Sequence, residues 1–289
     1  MPNATELFSL NIHNYVKKTV QSMIEEKIND FLNAPADSIN LGIIQNLNLK
    51  DNVQIYWGDE PIGLLKKGEN IFSPIVEMFH SEFTNVEKKI LITKKLQGWI
   101  DEKIKVTLKP IKDDLESIVT SADLRSMTYN LFNFLGVMPI EDYHSDIKKL
   151  TDEKKIIISK LGIRIGVKFF FIPNFLKKNA MELKAILWRT FYDDGLSGPY
   201  PFPKDGRVSF TTQINLPISY WSAIGYLCVD NFAIRVDVFE KIFFIARKKI
   251  KSGPFLESSE LMNPIGCNSL QLSNLLYFCG FENITLGNE

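Results

Sequence analysis

An α+β fold, rich in helices and carrying two or more β-hairpins, is what this sequence predicts. Three observations carry the prediction. Apolar residues recur at helical spacing through several long windows. Short β-branched and aromatic runs flank tight turns at Gly58-Asp59-Glu60 and Asp230-Asn231. Strands are followed by turns rather than by crossover helices, which argues against a doubly wound nucleotide fold.

The elements follow in order. Residues 15–32 pattern as an amphipathic helix, with Val16, Val20, Met23, Ile24, Ile28 and Phe31 on one face and Lys17, Lys18, Glu25, Glu26 and Lys27 on the other. Asn33, Pro35 and Asp37 end it. Val53–Trp57 and Ile62–Leu65 read as a hairpin. Residues 84–105 return to helix with Val86, Ile90, Leu96, Trp99, Ile100 and Ile104 inward, and a further helix runs from Asp113 to Leu135 with Gly136 as its left-handed cap. Thr151 caps a helix to Leu161, and Ile163–Ile172 reads as one strand. Asn179 and Glu182 form the pattern of a capping box for a helix through Trp188 and Tyr192. The three Gly and three Pro of 193–207 make an irregular loop. Ala223–Val229 and Phe232–Val236 read as a second hairpin. Asp237 with Glu240 then caps a helix whose inward face holds Phe239, Ile242, Phe243, Ala246 and Ile250. Short helices near 256–263 and 268–279, around a Gly-Cys-Asn turn, give the C-terminal tail a small helix-turn-helix shape, with Phe281–Ile284 as a candidate strand.

The chain has 289 residues, 34 Lys+Arg and 34 Asp+Glu, so its formal net charge is zero. That balance excludes a uniformly basic nucleic-acid wrapper. An apolar content of 45% with 12% aromatics excludes intrinsic disorder. The organisation expected is a helical segment with a hairpin over 1–110 and an α+β body over 111–289, the latter including a tail at 253–289. Cys228, Cys267 and Cys279 cannot pair fully and lack zinc-site spacing, so buried free thiols are expected. Neither a signal peptide nor an apolar run long enough to span a membrane is present, so the expectation is a soluble, cytoplasmic protein with no membrane partner.

Motifs that would name a reaction are missing. A phosphate-cradling G-x-x-x-x-G-K-[ST] loop does not occur, and Gly162 and Gly166 around Arg164 suit a strand entry better. His13, His80 and His144 lie in separate segments with no i, i+4 partner, and no nucleophile elbow accompanies them. Asp193-Asp194 reads as a solvated cap. No catalytic residue, metal or cofactor is expected.

The neutral total hides segregation. From Lys154 to Arg189 there are nine basic residues and one acid, Glu182. From Lys241 to Lys251 there are five basic residues and no acid, whereas 252–289 holds four glutamates and no Lys or Arg. Clustered cations of this kind attract phosphate backbones through counterion release. The interleaved Phe169, Phe170, Phe171, Phe175, Trp188, Tyr200 and Phe202 could stack on bases, but their apolar neighbours favour core roles. The tail's second helix, within Leu270–Gly280, has no cation with which to meet phosphate, so it reads as a packing or protein-contact element.

Ser159–Lys177, with its Leu161-Gly162, Arg164, Gly166, Phe171-Ile172-Pro173 and Leu176-Lys177, resembles the "LG-R-G … FLP-LLKP" segment in the C-terminal region of alphaproteobacterial superfamily 2 helicases related to the mitochondrial degradosome RNA helicase. Leu183–Trp188 is similar to that family's "LR-LLW", and Gly225-Tyr226 with Ala233–Glu240 to its "GY … AVRIDMLERL". Gly266-Cys267 through Gly280-Phe281, and Val53–Glu77 upstream, extend the likeness over roughly residues 10–285. Lys177-Lys178 stands where the family has Lys-Pro. The family's Walker A, DExH and arginine-finger motifs are absent from this chain.

The resemblance therefore implies a non-catalytic accessory region that binds or guides nucleic acid, RNA rather than DNA, for motor domains not present in this chain. Arg164, Lys168, Lys177, Lys178 and Lys184 are the expected phosphate contacts, with Lys248 and Lys249 secondary. The alternative is a protein-interaction module that docks a separate motor or nuclease subunit through the 193–207 loop and the uncharged tail.

Overall fold

The structure, a computed structural model, describes residues 46–79, 86–109, 122–143, 147–148, 150–192, 200, 203, 206–213 and 216–282, together with Ser22 and Glu26. It is an α+β fold with antiparallel sheets of three and four strands. Two compact units divide the chain between Lys103 and Ile104, inside a helix.

The first unit is built on a four-stranded antiparallel sheet in the order β1 (Leu47–Leu49), β2 (Gln54–Trp57), β3 (Glu60–Lys66) and β4 (Ile75–Met78). The hairpin expected at 53–65 is its centre, with Gly58 at φ 61° in the turn. Helix α1 (Val86–Thr107) is tied to the edge strand by one side chain. The Gln97 amide accepts from the Val76 N–H at 2.9 Å and donates to the Pro74 carbonyl at 3.0 Å. Polar backbone that an edge strand leaves open is thereby satisfied.

In the second unit, α2 (Ala122–Asn133) leads into β5 (Val137–Pro139), then α3 (Asp152–Lys160), β6 (Arg164–Ile165), β7 (Phe169–Phe171) and α4 (Lys178–Tyr192). Next come β8 (Ser209–Thr211), α5 (Ile218–Ile224), β9 (Tyr226–Val229), β10 (Phe232–Arg235), α6 (Val236–Ile250), α7 (Ser259–Met262) and α8 (Ser269–Phe278). The strands form two antiparallel sheets, β5-β7-β6 and β8-β10-β9. One core joins them: Phe169 and Phe171 of β7, Ile234 of β10, Phe239 and Phe243 of α6, and Leu272 and Leu276 of α8 are buried together. The tail is a helix–turn–helix in outline, with Gly266 at φ 58° and a capping box in which Asn268 and Gln271 exchange bonds.

Several local expectations are corrected. On α1 the buried stripe is Ile92, Leu96, Ile100 and Ile104, while Val86 and Ile90 are exposed. Ile90 lies two residues from Ile92, which on a helix points it roughly the opposite way. After α2 Gly136 is left-handed as expected, at φ 82°, but Leu135 before it is left-handed too, at φ 52°, and the Gly136 N–H bonds the Leu131 carbonyl in a Schellman arrangement. Glycine is required at 136 both by that φ and because a Cβ would overlap the Phe175 ring. The single strand expected at 163–172 is two, β6 and β7, folded back on each other as Arg164↔Phe171 and Ile165↔Phe170. Helix α4 starts at Lys178, after Lys177 in extended conformation, so Asn179 lies inside the helix and is not its cap. Residues 223–224 end helix α5 and do not begin a strand. Arg235, not Asp237, is the N-cap of α6, and Ile250 is exposed.

Thr151 caps α3 by accepting from Lys154 N–H, as expected. The helix expected at 15–32 lies outside the described residues apart from Ser22 and Glu26, both helical. So do the three histidines, Asp193, Asp194, Phe202, most of the 193–207 loop and the end of the candidate strand at 281–284. The cysteines carry free thiols that are half-buried, not fully buried. No described helix is long and apolar enough to cross a membrane.

Candidate nucleic-acid interface

Helix α6 sorts its residues by face. Phe239, Ile242, Phe243 and Ala246 recur at helical spacing and are buried in the core. The opposite face holds Lys241, Phe244, Arg247, Lys248 and, just past the helix end, Lys251, all exposed. Arg247, Lys248 and Lys249 occupy the last turn, where cations also favour the negative end of the helix dipole.

The acids of α6 are engaged in local bonds. Glu240 is only 8% exposed and reaches into the turn between β6 and β7. Its carboxylate accepts three backbone N–H bonds, from Val167 at 2.5 Å, Lys168 at 2.8 Å and Phe169 at 2.7 Å. Burial pushes the Glu240 carboxyl above the usual range, while the three N–H donors and the Lys168 charge pull it back. Asp237, in the first turn, forms a fork with Arg235, Nε to Oδ1 at 2.6 Å and Nη2 to Oδ2 at 3.1 Å. From position 241 to the end of the helix every charged residue is a cation.

The seven expected phosphate contacts divide into three groups. Arg164, Lys177, Lys178 and Lys248 are exposed. Lys168 and Lys249 are held in local pairs, Lys168 with Glu141 at 2.9 Å and Lys249 with Glu260 of α7 at 2.7 Å. Lys168 also lies over the Phe243 ring, 5.8 Å from its centre. Lys184 is corrected: its side chain is fully buried, so no phosphate can approach it. Its Nζ has no described hydrogen-bond partner and lies 5.7 Å from the Phe175 ring centre. Burial lowers its pKa to about 7.

The aromatic residues of the first basic block are core, as their apolar neighbours suggest. Phe169, Phe170, Phe171, Phe175, Trp188 and Tyr200 are all buried. Trp188, Tyr200 and Tyr220 meet edge to face or tilted, and the Arg189 guanidinium lies 4.9 Å from the Tyr200 ring centre. Phe244, 62% exposed, is an exposed aromatic in a cationic setting. Its signal was in the sequence: Phe244 falls outside the spacing that places Phe239, Ile242, Phe243 and Ala246 on one face.

No protein-family model, no curated protein and no solved structure matches this chain. Among the described residues no cluster of His, Cys, Asp and Glu could hold a metal ion.

Proposed function

We propose that the chain is a non-catalytic accessory region of a helicase, which binds or guides nucleic acid for motor domains encoded outside it. One observation carries the reading. The outward face of α6 sets Lys241, Arg247, Lys248 and Lys251 side by side, while the helix's own carboxylates are turned into local bonds. Such a face recruits phosphates by counterion release and needs no sequence readout. The likeness of 159–188 to the helicase C-terminal segment supports the context and the preference for RNA over DNA.

Binding of the full chain to labelled single-stranded RNA, measured at two salt concentrations, tests the reading. The log–log salt slope should be about −0.7 per neutralised phosphate. Arg247→Ala/Lys248→Ala should reduce its magnitude by roughly 1.4. Binding that ignores salt, or no binding, overturns the proposal.

A second reading, a module that docks a motor or nuclease subunit, is favoured by a different surface. On α8, Leu270, Tyr277 and Phe278 are exposed at 69%, 72% and 56%, and the helix has no charged residue. Recovery of a motor subunit without any affinity for RNA would select this reading.

A further inference from the structure

Phe244 has no place in the core and no apolar neighbour on its own face. Positions three and four residues away are its neighbours on a helix, and positions seven away lie on the same face two turns along. Lys241 lies three before it, and Arg247, Lys248 and Lys251 lie three, four and seven after it, all exposed, whereas Asp237, seven before it, is paired with Arg235. Glu240, four before it, is turned away into the turn between β6 and β7. A phenyl ring 62% exposed thus has three cations beside it on the helix face and a fourth, Lys251, two turns on. Lys249, the remaining cation of the segment, is drawn aside to Glu260 at 2.7 Å.

We propose that this face of α6 is a single-strand platform, on which Phe244 stacks against a base while Lys241, Arg247, Lys248 and Lys251 hold the flanking phosphates. The inference rests on the nucleic-acid reading and specifies its form. A phenyl face can meet a base only where the base is unstacked, which a duplex does not offer and a single strand does. From 241 to 251 there is no amide, hydroxyl or carboxylate side chain, so the only base-edge contacts open to the segment are those of Arg and Lys with guanine. Stacking plus phosphate contact is tolerant of sequence, as a guiding surface requires. An anionic membrane is the less suitable partner. Interfacial helices bury a broad apolar face in the bilayer, and the apolar face of α6 is already used in the core.

The test uses the full chain with a labelled oligoadenylate, the same strand with abasic sites, a duplex of equal length, and vesicles containing phosphatidylserine. Phe244→Ala should weaken oligoadenylate binding by about 5- to 150-fold, with the salt slope unchanged. Wild type should lose a similar factor on the abasic strand, where Phe244→Ala should cost nothing more. Because Phe244 is exposed, the variant should keep its circular dichroism and melting temperature.

Salt-dependent binding that Phe244→Ala leaves intact would overturn the platform and leave the nucleic-acid reading standing. Equal affinity for strand and duplex would do the same. Absence of oligonucleotide binding, with vesicle binding that depends on Phe244, would overturn both.

Discussion

The Glu240 carboxylate occupies the space that a side chain at position 166 would need. A Cβ built on Gly166 would overlap the carboxylate carbon and both of its oxygens. The glycine here answers a close approach rather than a special φ. It lets three consecutive N–H groups converge on one buried acid and joins α6 to the turn between β6 and β7.

Gly166→Ala should therefore destabilise the second unit by about 1–3 kcal/mol, the usual range for forced overpacking. Urea unfolding followed by circular dichroism measures it. Gly162→Ala is the comparison: its φ is 75° but nothing lies within 4 Å, so only left-handed strain, about 1–2 kcal/mol, is at stake. A fall in stability with Gly166→Ala that persists undiminished in a Glu240→Ala background would show that the carboxylate is not the obstacle.

Glu240→Gln keeps the shape and changes the bonding. One oxygen serves Lys168 and Phe169 while the other serves Val167. The amide has only one acceptor oxygen, so its NH2 must face a backbone N–H. Leaving a buried donor unpaired costs about 1–3 kcal/mol. The midpoint of urea unfolding should fall with an unchanged slope.

Much of this architecture was legible. The 54–66 hairpin, the Thr151 cap, the 226–235 hairpin and the apolar face of α6 all announce themselves through local chemistry: turn residues, a side-chain cap and helical spacing. The tertiary uses of residues were not legible. Glu240 sits where a capping-box acid would, three residues after Asp237, and only the fold reveals that it reaches residues more than seventy positions earlier. Lys184 looks like one more cation in a basic block, because charge counts carry no burial. On α4 it shares a helix with Ala180, Leu183, Leu187 and Trp188, all buried, and that apolar company was the available clue.

Lys184 gives a prediction in pH. Its pKa is lowered to about 7 by burial, so the folded state releases a proton that the unfolded chain keeps up to the ordinary lysine range. Between those two values the unfolded state binds more protons, and stability rises with pH. The slope from this group should approach about 1.4 kcal/mol per pH unit between about pH 7 and pH 10 and vanish below. Lys184→Met removes a buried amine that has no described partner and should stabilise the protein at pH 7. The advantage should shrink at pH 9. Unfolding curves of both proteins at pH 6, 7, 8 and 9 decide the matter, and a difference that is flat across the series would contradict the assignment.

Cys279 should be the least reactive thiol at neutral pH despite being only half-buried. Burial pushes it up to about 12, with Glu240 and Glu141 adding to the rise and Lys168 opposing it. Cys228 and Cys267 are raised too, burial again being the main cause. Since the thiolate is the nucleophile, and a more basic thiolate is also intrinsically more nucleophilic, Cys279 should react with a disulfide reagent at pH 8 about 10- to 100-fold more slowly than an ordinary free cysteine. Unfolding in urea should bring all three thiols to one common fast rate. Lys168→Ala removes the cation that favours the thiolate and should slow Cys279 further in the folded protein. Native Cys279 labelling as fast as in urea would mean that the burial of Cys279 near Lys168 and Glu240 is not maintained in solution.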